Sequence, residues 1–336
     1  MRASTLLWLI LVAAASQAST GQQRAESAGG SLLGQPAPAV VLTTIDGKRL
    51  DLATLYGKQA VYLKFWATWC VPCREQMPHF ERTYERAGAD LAVIAVNAGF
   101  NDSLSDVQSY RQTVGLKMPI VIDDGRLAAA FRLRVTPQHV VIGRDGRVLY
   151  VGHLADARLD HALANAVAIP AAIPSAATAV ALQAALAPGD RLPALKLRTL
   201  TGKAIQLRDG TQHGPIVLVF LSPWCESYLA ESRPARAAAC RAVREQVDAL
   251  VASGTRTRWV GIASGLWASR EDLDQYQREH RVAIPLVLDE DGALFRKFGV
   301  TGVPQLIVVD ADGRIDGRRD DAGQQLQDEL SRLAPT

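Results

Sequence analysis

Cysteine is scarce in this chain, with four in 336 residues. That scarcity excludes a fold held by a dense disulfide framework and leaves each thiol to be read as chemistry. No excess of one charge is present either, since 37 basic residues face 34 acidic ones for a net charge of +3. Nothing therefore marks a nucleic-acid partner or a polybasic membrane surface. Beyond the first 18 residues no apolar run is long enough to span a bilayer. Histidines at zinc-finger spacing around the cysteines are missing too, which argues against a zinc site and leaves it as a competing reading of the paired cysteines. A chain of this length suggests two domains, each with enough material for its own core.

What is present begins with Met1-Arg2, an apolar run from Leu6 to Ala15 and the small-residue stretch Ser16-Gln17-Ala18. This reads as a secretory signal peptide over residues 1–18, with an uncleaved membrane anchor as the competing reading. No cysteine follows directly, so lipid attachment is not indicated. Residues 19–30, rich in Gln, Ser, Ala and Gly, are expected to form a disordered lead-in. The mature protein is then expected in an exported compartment, the periplasm, where disulfides persist.

The densest chemical signal is Trp66-Ala67-Thr68-Trp69-Cys70-Val71-Pro72-Cys73, placed where an apolar run gives way to a helix-forming segment. A cysteine at a helix N-terminus meets unpaired backbone N–H groups and the positive end of the helix dipole, both of which favour thiolate over thiol. A second cysteine one turn on can close a small disulfide ring or resolve a mixed disulfide. Pro72 has no N–H to lose and suits the first turn.

Around this motif, strands expected at Val40 to Leu42, Val61 to Phe65, Leu91 to Asn97 and Ile120 to Ile122 alternate with helices, and a hairpin follows Thr136-Pro137. Pro78 is expected to kink the motif's helix. The pattern describes an α/β fold with a central mixed sheet. Sliding the chain along itself reveals a second copy: Trp69-Cys70 returns as Trp224-Cys225 at an offset of 155 residues. Pro137-Gln138 returns as Pro304-Gln305 at an offset of 167. Most of the difference falls between Cys225 and Ala263, so the second copy carries an insertion in or near its first helix. An Ala/Pro-rich linker joins the copies, and within it Ala176 to Leu186 suits a short helix.

The run from Phe65 to Pro78, together with Thr136-Pro137 before a hairpin, resembles the thioredoxin superfamily and within it the exported TlpA/ResA branch. The resemblance implies two tandem thioredoxin-like folds, over residues 31–158 and 188–334, with residues 159–187 between them. It implies a cis Pro137 facing the disulfide, the backbone of Thr136 as an edge for an extended substrate, Cys70 as the partly exposed attacking thiol, Cys73 as the buried resolving thiol and Trp69 as a shield. Two positions depart from the family. Thioredoxins carry Asp six residues before the first cysteine, where this chain has Lys64. If charged, Lys64 favours nearby thiolates; if its stem carries the ammonium outward it leaves the site alone, and the outward reading is the one adopted. Gln76 stands where some relatives have an acid.

In the second copy Tyr228 takes the place of the second cysteine, and Pro304 is the second cis-proline candidate. Cys225 and Cys240 are read as a second disulfide, because Pro234 offers a break in a helix that would otherwise hold them roughly 22 Å apart. A degenerate copy kept for binding, or a copper site using His213 or His280, are the competing readings. The function expected is that of an exported thiol:disulfide oxidoreductase that reduces client proteins and is recharged by a membrane-embedded electron donor, with no metal or organic cofactor. An oxidase or isomerase, or a partner-docking module, would use the same residues differently. Oligomeric state is not readable from the sequence.

Overall fold

The structure is a computed structural model that describes residues 21–172, 184–207, 214–254 and 257–333. The expected signal peptide, the greater part of the Ala176 to Leu186 helix and His213 lie outside them. Among the described residues no helix is long and apolar enough to cross a membrane. The chain divides into two compact units, residues 1–182 and 183–336.

The first unit opens with a helix, α1 (residues 21–29), where a disordered lead-in was expected. It is held because Ala25 is buried and Gln22 Oε1 accepts from the backbone N–H groups of His153 and Leu154 at 2.7 and 3.0 Å. An antiparallel pair, β1 (Val41–Thr43) and β2 (Arg49–Asp51), precedes the core strand β3 (Ala60–Trp66), every residue of which is buried. Helices α2 (Val71–Glu75) and α3 (Met77–Arg86) follow, broken at Gln76 so that Pro78 falls in the first turn of α3, where its missing N–H costs nothing. Then come β4 (Leu91–Asn97), α4 (Leu104–Val114), β5 (Ile120–Ile122) and α5 (Arg126–Ala130). The unit closes with the hairpin β6 (Gln138–Ile142) and β7 (Val148–Gly152) and with α6 (Ala157–Ala168). α6 buries Leu159, Leu163 and Ala166, as expected of a helix over Ala157 to Val167 that closes the first domain.

Strand order in the first sheet is β5-β4-β3-β6-β7, with β3, β4 and β5 parallel and β6 and β7 antiparallel to their neighbours. The continuous apolar character of β3 and β4 follows from burial on both faces of a helix-covered sheet. This order puts β3 at the centre, so the turn leaving its C-terminal end lies over the middle of the sheet. Cys70 sits in that turn.

The second unit repeats the plan. It comprises β8 (Lys196–Arg198), β9 (Ala204–Gln206), β10 (Ile216–Leu221), α7 (Cys225–Ser232), α8 (Pro234–Ala252) and β11 (Arg258–Ser264). After them come α9 (Arg270–His280), β12 (Leu286–Asp289), α10 (Ala293–Lys297), β13 (Gln305–Val309), β14 (Ile315–Arg319) and α11 (Gln324–Leu333). Its sheet order is β12-β11-β10-β13-β14, the same as in the first unit. The insertion falls in the helix pair: α7 and α8 have 8 and 19 residues, against 5 and 10 in α2 and α3.

Candidate active site

Cys70 caps the N-terminus of α2 in an extended conformation, and the backbone N–H of Cys73 points at its sulfur from 3.2 Å. The two sulfurs are bonded to each other, with their Cα atoms 5.2 Å apart. Opposite them the Thr136–Pro137 peptide is cis, and Thr136 O lies 3.3 Å from Cys70 Sγ. The structure therefore brings Cys70, Cys73, Thr136 and Pro137 to one point. Trp69 stands beside them, its indole N–H donating to Phe100 O at 2.8 Å.

One expectation is corrected here. Cys70 was expected to be partly exposed and the Thr136 backbone to be open to substrate, but both residues have zero relative exposure, as does Cys73. Trp69 is 1% exposed and Pro137 is also buried.

The turn carrying the cysteines is held from behind by Asp102. Its carboxylate accepts from Thr68 N at 2.8 Å, Thr68 Oγ1 at 2.6 Å and Asn97 Nδ2 at 2.7 Å, while Asn97 Oδ1 accepts from Gly99 N. Gly99 has φ +64°, and a Cβ there would strike Asp123 O, so only glycine fits this turn. Sequence reading missed Asp102 because it is distant in the chain and belongs to no motif.

Beneath the disulfide lies a second group that was misread. Lys64 is entirely buried and its amine donates to Cys73 O at 3.2 Å, which corrects the outward reading. Burial away from water pushes the ammonium form down, to a pKa of about 7. Its cross-strand neighbour His139 is also buried and is held well below the ordinary histidine range, first by burial and then by the positive charge of Lys64. His139 is fixed in one tautomer. Nε2–H donates to Gln76 Oε1 at 2.8 Å, since that oxygen can only accept, and Nδ1 accepts from the Tyr62 hydroxyl at 2.8 Å. Gln76 Nε2 donates to His153 O at 3.3 Å, and His153 Nδ1 donates to Pro137 O at 2.7 Å. A chain of hydrogen bonds thus runs from Tyr62 in the core to the cis-proline carbonyl.

Residues 33–151 match the AhpC/TSA family, and residues 187–326 match Redoxin. The thiol-disulfide oxidoreductase ResA of Bacillus thuringiensis is 34% identical over 119 residues, which are 35% of this chain and 67% of that protein. The thioredoxin-like protein YneN of Bacillus subtilis is 33% identical over 133 residues, which are 39% of this chain and 78% of that protein. The chain belongs to the thioredoxin superfamily. A crystal structure of a thiol:disulfide interchange protein from Chlorobium tepidum TLS aligns at 31% identity, covering 39% of this chain and 95% of its own, with a TM-score of 0.33.

Within this thioredoxin-like chain the second unit keeps the frame and alters the chemistry. Val303–Pro304 is cis, and Trp224 Nε1 donates to Leu266 O at 2.8 Å, as Trp69 does to Phe100. Tyr228, in place of a second cysteine, is 41% exposed and packs edge-on against Trp224 at 6.1 Å. Cys225 is instead bonded to Cys240, with Cα atoms 6.3 Å apart. An unbroken helix would separate them by about 22 Å, so the break at Arg233 must turn α8 back along α7. Both cysteines are buried, and Glu226 beside them is paired with Arg244 at 2.8 Å. Of the residues named for a copper site, the two sulfurs are bonded to each other, His280 packs on Tyr276 with ring centroids 4.8 Å apart, and His213 lies outside the described residues. Among the described residues no group of three potential metal ligands is present.

Proposed function

We propose that this protein is an exported thiol:disulfide oxidoreductase that reduces client disulfides through Cys70 and Cys73. The observation that carries the proposal is the Cys70–Cys73 bond at a helix N-terminus, with the Cys73 amide aimed at Cys70 Sγ and the cis Pro137 peptide opposite. In the reduced protein the Cys70 thiolate, favoured by that amide, attacks one sulfur of a client disulfide. The client bond breaks, one client sulfur leaves as thiolate, and the other stays bonded to Cys70. Cys73 then attacks Cys70 Sγ, and the second client sulfur leaves with the electron pair. The client is reduced by two electrons, and the protein is left in the disulfide state that the structure holds. A membrane-embedded dithiol donor restores the reduced form.

The direction of exchange is tested by the midpoint potential of the Cys70/Cys73 couple against glutathione. A value near the thioredoxin range, about −270 mV, supports the reductase, whereas one near about −120 mV makes the protein an oxidase. Export is tested by N-terminal sequencing of protein from the periplasmic fraction. A start close to residue 19 is expected, and recovery only from the cytoplasm sinks that part of the proposal.

A further inference from the structure

Beside Trp224 the second unit opens a cavity of about 630 Å³, a size that takes a small molecule. Helix α8 lines it with Arg241, Arg244 and Glu245, and α9 lines it with Asp272, Tyr276 and Glu279. Two half-buried tryptophans, Trp224 and Trp267, complete the wall. Trp267 has φ 58°, a left-handed backbone conformation that bulky residues rarely adopt. In each unit the motif tryptophan donates its indole N–H to a backbone carbonyl, of Phe100 in the first and Leu266 in the second, and the next residue is left-handed. In the first unit that next residue is Asn101, with φ 56°, a residue type suited to the conformation. The second unit thus holds a tryptophan where the backbone favours asparagine, and that tryptophan lines the cavity.

We infer that this cavity is a binding site for a small organic cation of the aliphatic di- or polyamine class, held between the aromatic faces and the carboxylates. Glu226, 8% exposed, accepts from Arg244 at 2.8 and 3.1 Å, so those two charges cancel. Three carboxylates, Glu245, Asp272 and Glu279, then stand against the single guanidinium of Arg241, which leaves a net charge of −2 with His280 counted as neutral. That sign is local, because the whole chain carries +3. An ammonium group gains from both parts of the wall: the carboxylates accept its hydrogen bonds, and the faces of tryptophan attract its charge. The methylene segments between ammonium groups cover the ring surfaces. An anion would be repelled by the same lining.

A bare metal ion does not suit the site. Among the described residues no three acids, histidines or cysteines are grouped closely enough to hold one. The negative charge is spread along the lining, as a chain with several ammonium groups spreads its own. The wall is also fixed before a ligand arrives, which lowers the cost of binding. Cys225 precedes Glu226 and Cys240 precedes Arg241, so the Cys225–Cys240 bond ties together the two helices that carry these side chains. The Tyr276 hydroxyl, donating to Glu226 at 3.4 Å, joins α9 to the same pair. Neither contact involves Cys70 or Cys73, and the binding inferred here is separate from thiol exchange.

The test titrates the oxidised full chain with spermidine at pH 7 and low salt in an isothermal calorimeter. Saturable binding at one site is expected, weakening as salt is added. Trp267→Leu, which removes an aromatic face, should weaken it roughly tenfold. The double variant Glu245→Gln, Glu279→Gln changes two exposed residues and should weaken binding by a similar factor, with thiol exchange at Cys70 and Cys73 unchanged. Absence of saturable binding to the unmodified protein at millimolar spermidine overturns the inference, whether or not the variants fold. So does tighter binding of magnesium or of inorganic pyrophosphate than of spermidine. Undiminished binding by a folded Trp267→Leu or by the double variant places the amine elsewhere on the surface and overturns it equally.

Discussion

Cys73 and Lys64 carry different burdens. Replacing the resolving thiol stops the reaction at its covalent midpoint, so Cys73→Ser should accumulate a mixed disulfide between Cys70 and a client, visible as a reductant-sensitive band on non-reducing gels, while Cys70→Ser should accumulate none. Lys64 is a stability liability. Its pKa is about 7 in the folded protein against an ordinary 10.5. The unfolded chain therefore binds more protons between those values, and stability rises with pH across that window. The contribution is greatest above about 10.5 and is lost as pH falls through about 7. Lys64→Met should raise the Tm of its unit at pH 7 and flatten the rise of stability between pH 7 and 10. A variant less stable at pH 7 and with an unchanged slope would contradict this.

At the scale of elements, the helix pair after each central strand separates the two units. In the first, α2 and α3 are broken only enough to seat Pro78, and the cysteines one turn apart need no rearrangement to meet. In the second, α7 and α8 must double back at Arg233 before Cys225 can reach Cys240, and the crosslink then closes a 15-residue separation. A loop of that size is stabilised by about 3 kcal/mol. Cys240→Ser should cost the second unit about that much in denaturant unfolding under oxidising conditions, with thiol exchange at Cys70 and Cys73 unchanged. Loss of exchange would instead make the second disulfide part of the electron path. The strands and hairpins were legible along the chain because period and punctuation are local properties. The α1 helix was not: its composition is that of a loose segment, and it is held by the bonds between Gln22 and the backbone beyond β7, which no local pattern announces.

The whole molecule is two compact units, each with its own sheet and core. Calorimetry should accordingly resolve two transitions, one moved by Lys64→Met and the other by Cys240→Ser. A single transition moved by both would mean that the units unfold as one.

Sequence alone determined the duplication, the α/β order and the C-x-x-C pair proposed as reactive, since each is written in residues a few positions apart or in a repeat that can be aligned by eye. Tertiary structure decided three things. Cys70 is buried rather than partly exposed, Lys64 points inward beneath Cys73, and the α7–α8 turn brings Cys225 and Cys240 together. The physical reason is common to all three. Burial and long-range contact depend on what the rest of the chain packs around a residue, and a lysine in the middle of an apolar strand looks the same on paper whether its amine reaches water or a cysteine carbonyl.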